Sequence, residues 1–523
     1  MSTTDDFPAA AAANDPPAFI EDAAARRGIL LTVCLALMAV IAAVTGLNVA
    51  QPYLALDLGA TQGEVLWMIN TYTISLAALL LPLGAVGDRW GRRPVLLLGL
   101  AVFGLANVLS ALAPSTALML VARLLSGVGA AFIMPVTLSV ITSVFPPAER
   151  SRAIGVWTAV AGGGGILGMF LSALLVDHLS WRGLFVLPVL LVAVAAVLAW
   201  RRIPDARQTH AHGFDGGGSL LSVVAVLGLI VFLHEGPQQG WGTWPVLASL
   251  VAGVAAVLGF IAWERRQPAP ILPVRLFARR GLSSGSVALL VWFGVQSGVF
   301  IVLFPFFQAV LGWSGLRATL GLMPMAVMMM GFSGVAPRLA ARIGPRLTLA
   351  AGIALGVCGL VLMALQVSVV GGYLSVLPGM LVMGVGMGLA MAPATEAITA
   401  ALPADQQGVA SALNDVTREF GTALGIALLG AVFTAGYAGA IGPLLGNVPA
   451  AVAATAGRGI ADALVIAHEG QPYSAAVRHA AQAAFVQGWQ QAMWAGAAVM
   501  LGLLGFVLLR GPVRVAQADV VRR

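Results

Sequence analysis

The sequence predicts an all-α polytopic membrane protein of fourteen spans, built as two six-helix halves with two helices inserted between them. Three observations carry this. Of the 523 residues, 59% are hydrophobic and only 9% charged, with a mean hydropathy of +0.94; a water-soluble chain of that length needs more charge to cover its surface. Apolar runs of about 20 residues, enough to cross a ~30 Å hydrocarbon core, recur along almost the whole chain. They are continuous rather than alternating, which favours helices with internally satisfied backbones over a β-barrel. Finally, RWGRRPVLLLG (89–99) and RIGPRLTLAAG (342–352) share Arg, Gly, Arg and Gly at matching offsets, each after the second helix of a six-helix block. Two parallel halves place a substrate site between them, near mid-membrane; chance similarity of two basic loops is the competing explanation.

The apolar runs fall in order at 28–50, 64–86, 94–112, 116–142, 153–176 and 182–200, which make the first half (28–200). The inserted pair, 219–234 and 244–263, lies with its flanking loops in 201–280. The second half (281–510) holds runs at 281–309, 316–337, 347–366, 374–400, 408–434 and 483–510. Its long segment 436–482 contains GIADALVIA and SAAVRHAAQAAF, patterned as two short helices packed on the outer mouth. The Ala/Asp/Pro-rich residues 1–27 read as a disordered cytoplasmic tail without a cleavable signal, and 511–523 as a second tail.

All 28 basic residues are Arg, and their distribution orients the bundle. With both termini cytoplasmic in the inner (cell) membrane, 22 lie in inside segments and four outside: Arg182, Arg317, Arg458 and Arg478. The net charge of +7 therefore reflects topology rather than nucleic-acid binding. The lack of Lys excludes a GxxxxGK[ST] phosphate loop and a Schiff-base lysine. Cys34 and Cys358 fall inside spans, so no disulfide framework is implied. No catalytic triad, metal cluster or nucleotide motif points to an enzyme, a metal or a cofactor.

Titratable groups inside the membrane default to functional hypotheses because burying them is costly. No histidine lies mid-span. Sorting the 21 acidic residues leaves Glu396 on the twelfth span and Asp415 and Glu419 on the thirteenth, with Glu64 at an outer mouth. In SALNDVTREFGTALG (411–425), Asp415 and Glu419 share a helix face at i,i+4, and Asn414 and Arg418 flank them. Two carboxylates and a guanidinium can exchange a proton against a cation; a structural Asp415–Arg418 pair at i,i+3 is the alternative. Arg123 either counters a cavity carboxylate or bonds carbonyls near the outer end of its helix. Met380, Met383, Met387 and Met391 form a flexible thioether stripe suited to a promiscuous cavity, though core filling is the commoner use of Met.

Several motifs resemble the major facilitator superfamily. LPLGAVGDRWGRRP (81–94) matches its signature loop through Gly84, Asp88, Arg89, Gly91, Arg92 and Arg93. There Asp88 can meet a helix N-terminus or an arginine and so latch one arrangement of the halves. VARLLSGVGAAFIMPVTLSVI (121–141) is similar to the fourth-helix motif that carries Arg123. GVWTAVAGGGGILGMFLSALL (155–175) is similar to the fifth-helix antiporter motif through Gly155, Gly164 and Gly168, with Met169 in place of the usual Pro and Ser172–Ala173 in place of a Gly pair. GVASALNDVTREFGTALGIALLGAVF (408–433) resembles the thirteenth helix of the fourteen-helix drug/proton antiporter branch, typified by multidrug and quaternary-ammonium exporters. In the first helix, AVTGLNVA (43–50) keeps Thr45 and Asn48, expected to line the cavity, but has Ala43 where the branch carries an acid.

The resemblance implies a monomeric multidrug efflux protein conferring antibiotic resistance, driven by the proton gradient without a cofactor. Its expected partners are a small amphiphilic substrate, protons and the lipid bilayer, and no nucleic acid. Two alternatives stay open. One is an exporter or flippase of lipids or natural products, favoured by Ala43; the other is a non-transporting membrane sensor or partner.

Overall fold

The computed structural model describes residues 19–178, 180–204, 214–446, 448–467 and 473–512, except the side chains of Asn48, Val49, Pro52, Gln62 and Asp177. Among the described residues, fourteen helices are long and apolar enough to span a membrane. The first half comprises α1 (Ala23–Leu58), α2 (Gln62–Trp90), α3 (Arg92–Ala111), α4 (Thr116–Val144), α5 (Pro147–His178) and α6 (Val186–Arg202). The inserted hairpin is α7 (Gly216–Gln239) and α8 (Trp244–Glu264). The second half comprises α9 (Arg280–Pro305), α10 (Gly315–Ile343), α11 (Pro345–Gln366), α12 (Gly372–Thr399) and α13 (Gln407–Leu444). Two short helices, α14 (Ala450–Ala456) and α15 (Ile460–Ile466), precede the last span, α16 (Ser474–Arg510).

Several boundaries differ from those read in the sequence. Of the tail expected at 1–27, residues 1–18 lie outside the described set, whereas α1 is already helical from Ala23 because Asp22 accepts from the Ala24 and Ala25 N–H groups. In the segment 436–482, GIADALVIA does form α15. SAAVRHAAQAAF does not form a second short helix: nothing breaks the helix between Ser474 and Arg510, so it is the first part of α16. The second short helix is α14, and α13 runs on to Leu444. Tyr437 of α13 ties down this outer element by donating to the Ala456 carbonyl at 2.9 Å.

The repeat noticed in the sequence has a backbone counterpart. Gly91, between α2 and α3, has φ 97° and ψ 142°; Gly344, between α10 and α11, has φ 94° and ψ 154°. Only glycine adopts this region readily, so the same tight helix–helix turn is made once in each half.

The halves meet along two seams, both documented toward the end of the bundle where the α2–α3, α10–α11 and α12–α13 turns lie, here called the arginine-rich end. On one seam α2 meets α13: a Cβ on Gly84 would stand 2.7 Å from the Gly408 carbonyl oxygen. On the other α5 meets α10, where the Ser333 hydroxyl donates to Gly155 O at 2.7 Å and lies 2.9 Å from the Thr158 hydroxyl. The inserted hairpin flanks the first seam. Ile230 of α7 packs with Ile74 and Ala77 of α2 and with Phe420 of α13, while Leu233 packs on Ala423 and Ala427.

Candidate functional site

The signature loop places Asp88 at the last turn of α2, and its carboxylate crosses to the other half. Oδ1 accepts from the Gly408 N–H at 2.8 Å and Oδ2 from the Val409 N–H at 3.1 Å. These are first-turn donors of α13, where an anion complements both the free N–H groups and the helix dipole. The α12–α13 turn is held in place by Gln407, whose Nε2 reaches the carbonyls of Thr399, Leu402 and Pro403, each at 3.1 Å. Arg92 adds an ion pair to Asp88 at 3.8 Å and a long bond to the Ala404 carbonyl at 3.5 Å. Asp88 thus meets both partner types that the sequence allowed, and the structure supplies which helix. Arg93 lies over the Trp200 ring, and Arg89 is exposed.

The glycines of α5 divide between two neighbours. Gly155 faces α10, where a Cβ would stand 2.9 Å from the Ser333 carbonyl oxygen. Gly164 and Gly168 face α1 in the same half, against Met38 and Ala42. Gly162, which the motif comparison does not single out, faces Met329 of α10 and opens the space beside it.

That space is a narrow central cavity of about 10 Å³ between the halves. Its walls include Thr158 and Gly162 of α5, Phe293 of α9, Met387 and Met391 of α12, and Arg418 of α13. Arg418 lies eleven residues into α13, which at ~1.5 Å per residue is about 16 Å from the arginine-rich end and near mid-membrane. Of the methionine stripe, Met387 and Met391 line this cavity. Met383 is turned toward Gly359 of α11, and neither Met380 nor Met383 is among the lining residues: α12 is packed closely on α11, which takes up that part of the stripe. Thr45 lies against Gly168 rather than on the cavity wall and returns its hydroxyl to Ile41 O at 3.1 Å. The side chain of Asn48 is outside the described residues. Ala43 is packed in the core at 5% exposure.

Asp415 is fully buried. Its Oδ1 accepts from Asn414 Nδ2 at 3.1 Å and from Arg418 Nη1 at 3.4 Å, while Oδ2 and Asn414 Oδ1 have no hydrogen-bond partner among the described residues. The Arg418 guanidinium lies 4.4 Å from the Phe293 ring centre and 5.7 Å from that of Trp157. Trp157 is fixed by its own Nε1–H bond to Thr137 Oγ1 at 3.1 Å. Glu419, one turn on, is partly exposed and has no hydrogen bond or ion pair within reach among the described residues.

The other intramembrane groups are placed differently. Arg123 is 1% exposed, stacks 4.4 Å over Tyr72 and donates through Nε to the Met68 carbonyl at 3.3 Å. No carboxylate lies within 4 Å of it among the described residues, so here the carbonyl-bonding alternative describes the geometry. Glu396 is at the arginine-rich end, where it accepts from the Ser151 hydroxyl of α5 and so joins the halves. It is not part of the central cluster. Phe293 and Trp157 were missed by a search for charged and flexible residues; an aromatic on each of two helices bordering the cavity gives no periodic signal of its own.

The sequence profile described as Major Facilitator Superfamily matches residues 33–426. Among curated relatives, the chain is 33% identical over 412 residues to the puromycin resistance protein pur8 of Streptomyces alboniger, covering 77% of this chain and 81% of that one. It is 30% identical over 448 residues to the methyl viologen resistance protein SmvA of Salmonella typhimurium, covering 83% and 89%. The fold is similar to that of the human organic anion transporter MFSD10 (TETRAN), with a TM-score of 0.61, 15% identity and coverage of 92% of this chain and 99% of that one. The chain therefore belongs to the major facilitator superfamily, a family of transporters, and its fourteen spans and resistance-protein relatives are consistent with the fourteen-helix drug/proton antiporter branch.

Proposed function

We propose that the chain exports amphiphilic drugs, cationic or neutral, from the cell by proton antiport, with both termini cytoplasmic. One observation carries this reading: behind Arg418, which lines the cavity between the halves, a fully buried carboxylate, Asp415, has one oxygen without a partner among the described residues and the other held by Asn414 at 3.1 Å and by a long bond to Arg418 at 3.4 Å. A group so placed can take a proton at modest structural cost, because protonation sacrifices one long ion pair and provides a donor where an acceptor was unmatched.

The relatives' names, resistance to puromycin and to methyl viologen, support a drug-sized substrate. The cavity of about 10 Å³ barely holds one water in this arrangement, far short of the room a drug-sized ligand needs. With the seams packed at the arginine-rich end, the halves must move apart for a drug to enter, which is the requirement of alternating access. Asp88 would then hold the cytoplasmic side shut and release it as α13 moves. Protonating Asp415 frees Arg418, whose contacts reach both halves. A proton moving inward across 100 mV releases about 2.3 kcal/mol, which outward movement of one monovalent cation would cancel. With one proton per substrate, cation export then follows the pH gradient, and export of neutral compounds also follows voltage.

The test is uptake into inverted vesicles. Asp415→Asn should abolish proton-driven accumulation while leaving downhill substrate exchange measurable. Glu419→Gln should be milder and fall mainly on cationic substrates. If the double variant still accumulates substrate against its gradient, the carrier lies elsewhere, with Glu396 next in line.

A further inference from the structure

We propose that Arg418 is the chain's own occupant of a cation-binding box, and that planar organic cations with delocalised charge bind by taking its place. The inference rests on the reading of the central cavity as the substrate site. It adds which chemical class that site prefers and which residue sets the preference.

The box has three walls. Phe293 contributes a ring face 4.4 Å from the guanidinium, Trp157 a second ring at 5.7 Å, and Asp415 a carboxylate oxygen at 3.4 Å. Trp157 belongs to α5 and the first half, Phe293 and Asp415 to the second, so a cation held here touches both moving parts. Trp157 is fully buried and clamped by Thr137, which makes this wall rigid before any ligand arrives. Aromatic faces with an anion close by are the general means of recognising organic cations, and they discriminate against an uncharged molecule of the same outline.

The present occupant is loosely held. A committed arginine–carboxylate pair is bidentate with bonds of about 2.7–2.9 Å, whereas Arg418 makes a single bond of 3.4 Å and leaves Asp415 Oδ2 without a donor. Its guanidinium lines the cavity rather than being sealed behind it. A pyridinium- or guanidinium-like ligand presents the same flat, spread charge to the same three walls. Once the halves part, it has to displace only a single side chain on a flexible stem. Neutral ligands gain nothing from the exchange and bind beside Arg418, against Met387, Met391 and Gly162.

Binding to the full-length protein in nanodiscs tests this with two probes of equal shape, 10-methylacridinium and uncharged 9-methylanthracene. Arg418→Gln should tighten the cation about tenfold and change the hydrocarbon by less than about twofold. Phe293→Leu should weaken the cation by a similar factor and again spare the hydrocarbon. Arg418→Lys keeps a tethered charge and should leave the cation weakly bound. If Arg418→Gln weakens the cation, or shifts both probes alike, Arg418 is not a competitor and the proposal falls while the cavity reading stands. If Gly162→Leu, which fills the cavity, leaves both probes binding as before, the cavity reading falls and takes this one with it. Should Arg418→Gln fail to fold, Phe293→Leu decides: equal loss of both probes overturns the box.

Discussion

Arg123 on α4 and Arg418 on α13 both lie well inside the spans, and the two halves hold them differently. Arg123 is enclosed by a ring and a carbonyl, Tyr72 and Met68, with one terminal nitrogen unmatched. Arg418 shares rings with a carboxylate and opens on the cavity. The contrast shows that a buried cation need not imply a buried anion. Stacking and backbone carbonyls suffice where the side chain is meant to stay put. A carboxylate beside the cation brings in a group that can titrate; among the described residues Arg418 has one in Asp415, whereas Arg123 has none within 4 Å. Charges of the first half are then expected to hold geometry, and those of α13 to do chemistry.

The largest effect that would sharpen this division concerns Asp88. Its two bonds to α13 are charge-assisted, a class worth about 1.5–3 kcal/mol each, and Asn can replace at most one of them as an acceptor. Asp88→Asn should therefore slow turnover by about tenfold or more, with substrate affinity within about twofold of the parent. Single-turnover transport measured alongside equilibrium binding checks this. Equal transport rates at matched expression would remove the latch.

Arg123 provides a smaller but more discriminating test. Arg123→Met forfeits a cation–π contact worth about 2 kcal/mol when desolvated and the long Nε bond to the Met68 carbonyl, but it also removes an unmatched buried donor that costs about 1–3 kcal/mol and the burial of a charge. These oppose one another, so thermal unfolding in detergent should register a change of no more than about 2 kcal/mol, and the proton-to-substrate ratio should not change. A loss of several kcal/mol, or uncoupled transport, would mean that Arg123 has an anionic partner in another conformation. The comparison of the two arginines would then collapse.

The smallest effect is at the end opposite the arginine-rich one. There Asp57, beyond the first span, accepts from Trp181 Nε1 at 3.0 Å and Arg182 Nη1 at 2.7 Å. These bonds, the tryptophan's first, hold its carboxyl below the usual carboxylate range. With the folded value depressed, the clasp contributes above the unfolded carboxyl pKa and is lost as pH falls through the folded one. The pair is solvent-screened, so acidification below about pH 4 should loosen only the contact between the end of α1 and the α5–α6 connection, and Asp57→Asn should erase that pH response. Hydrogen exchange on residues 54–60 and 180–186 measures it.

How much of the site could be read beforehand depended on the kind of residue. Asp415, Arg418 and Glu419 stood out because charge is rare in an apolar run. Asp88 stood out because its glycines and arginines recur at fixed spacing. Met380 and Met383 show the limit of periodicity: they share a helix face with Met387 and Met391, but a neighbouring helix covers part of that face. Glu396, an acid toward the interface end of the twelfth span, is a candidate by composition alone, and it is bound to Ser151 at that end of the bundle, away from Asp415 and Arg418.

By itself the sequence determined that this chain spans a membrane fourteen times, that it repeats a glycine turn in each half, and which few charges lie within the spans. These follow from local composition and spacing, since the bilayer imposes length and apolarity on every segment independently. Only the tertiary structure decided which helices face each other across the seams. It decided that Asp88 caps α13, that Arg123 has an aromatic rather than an acidic neighbour, and that Trp157 and Phe293 converge on Arg418. The physical reason is that helix packing joins residues hundreds of positions apart through the shapes of whole faces. A pattern that specifies one face does not specify which face it will meet.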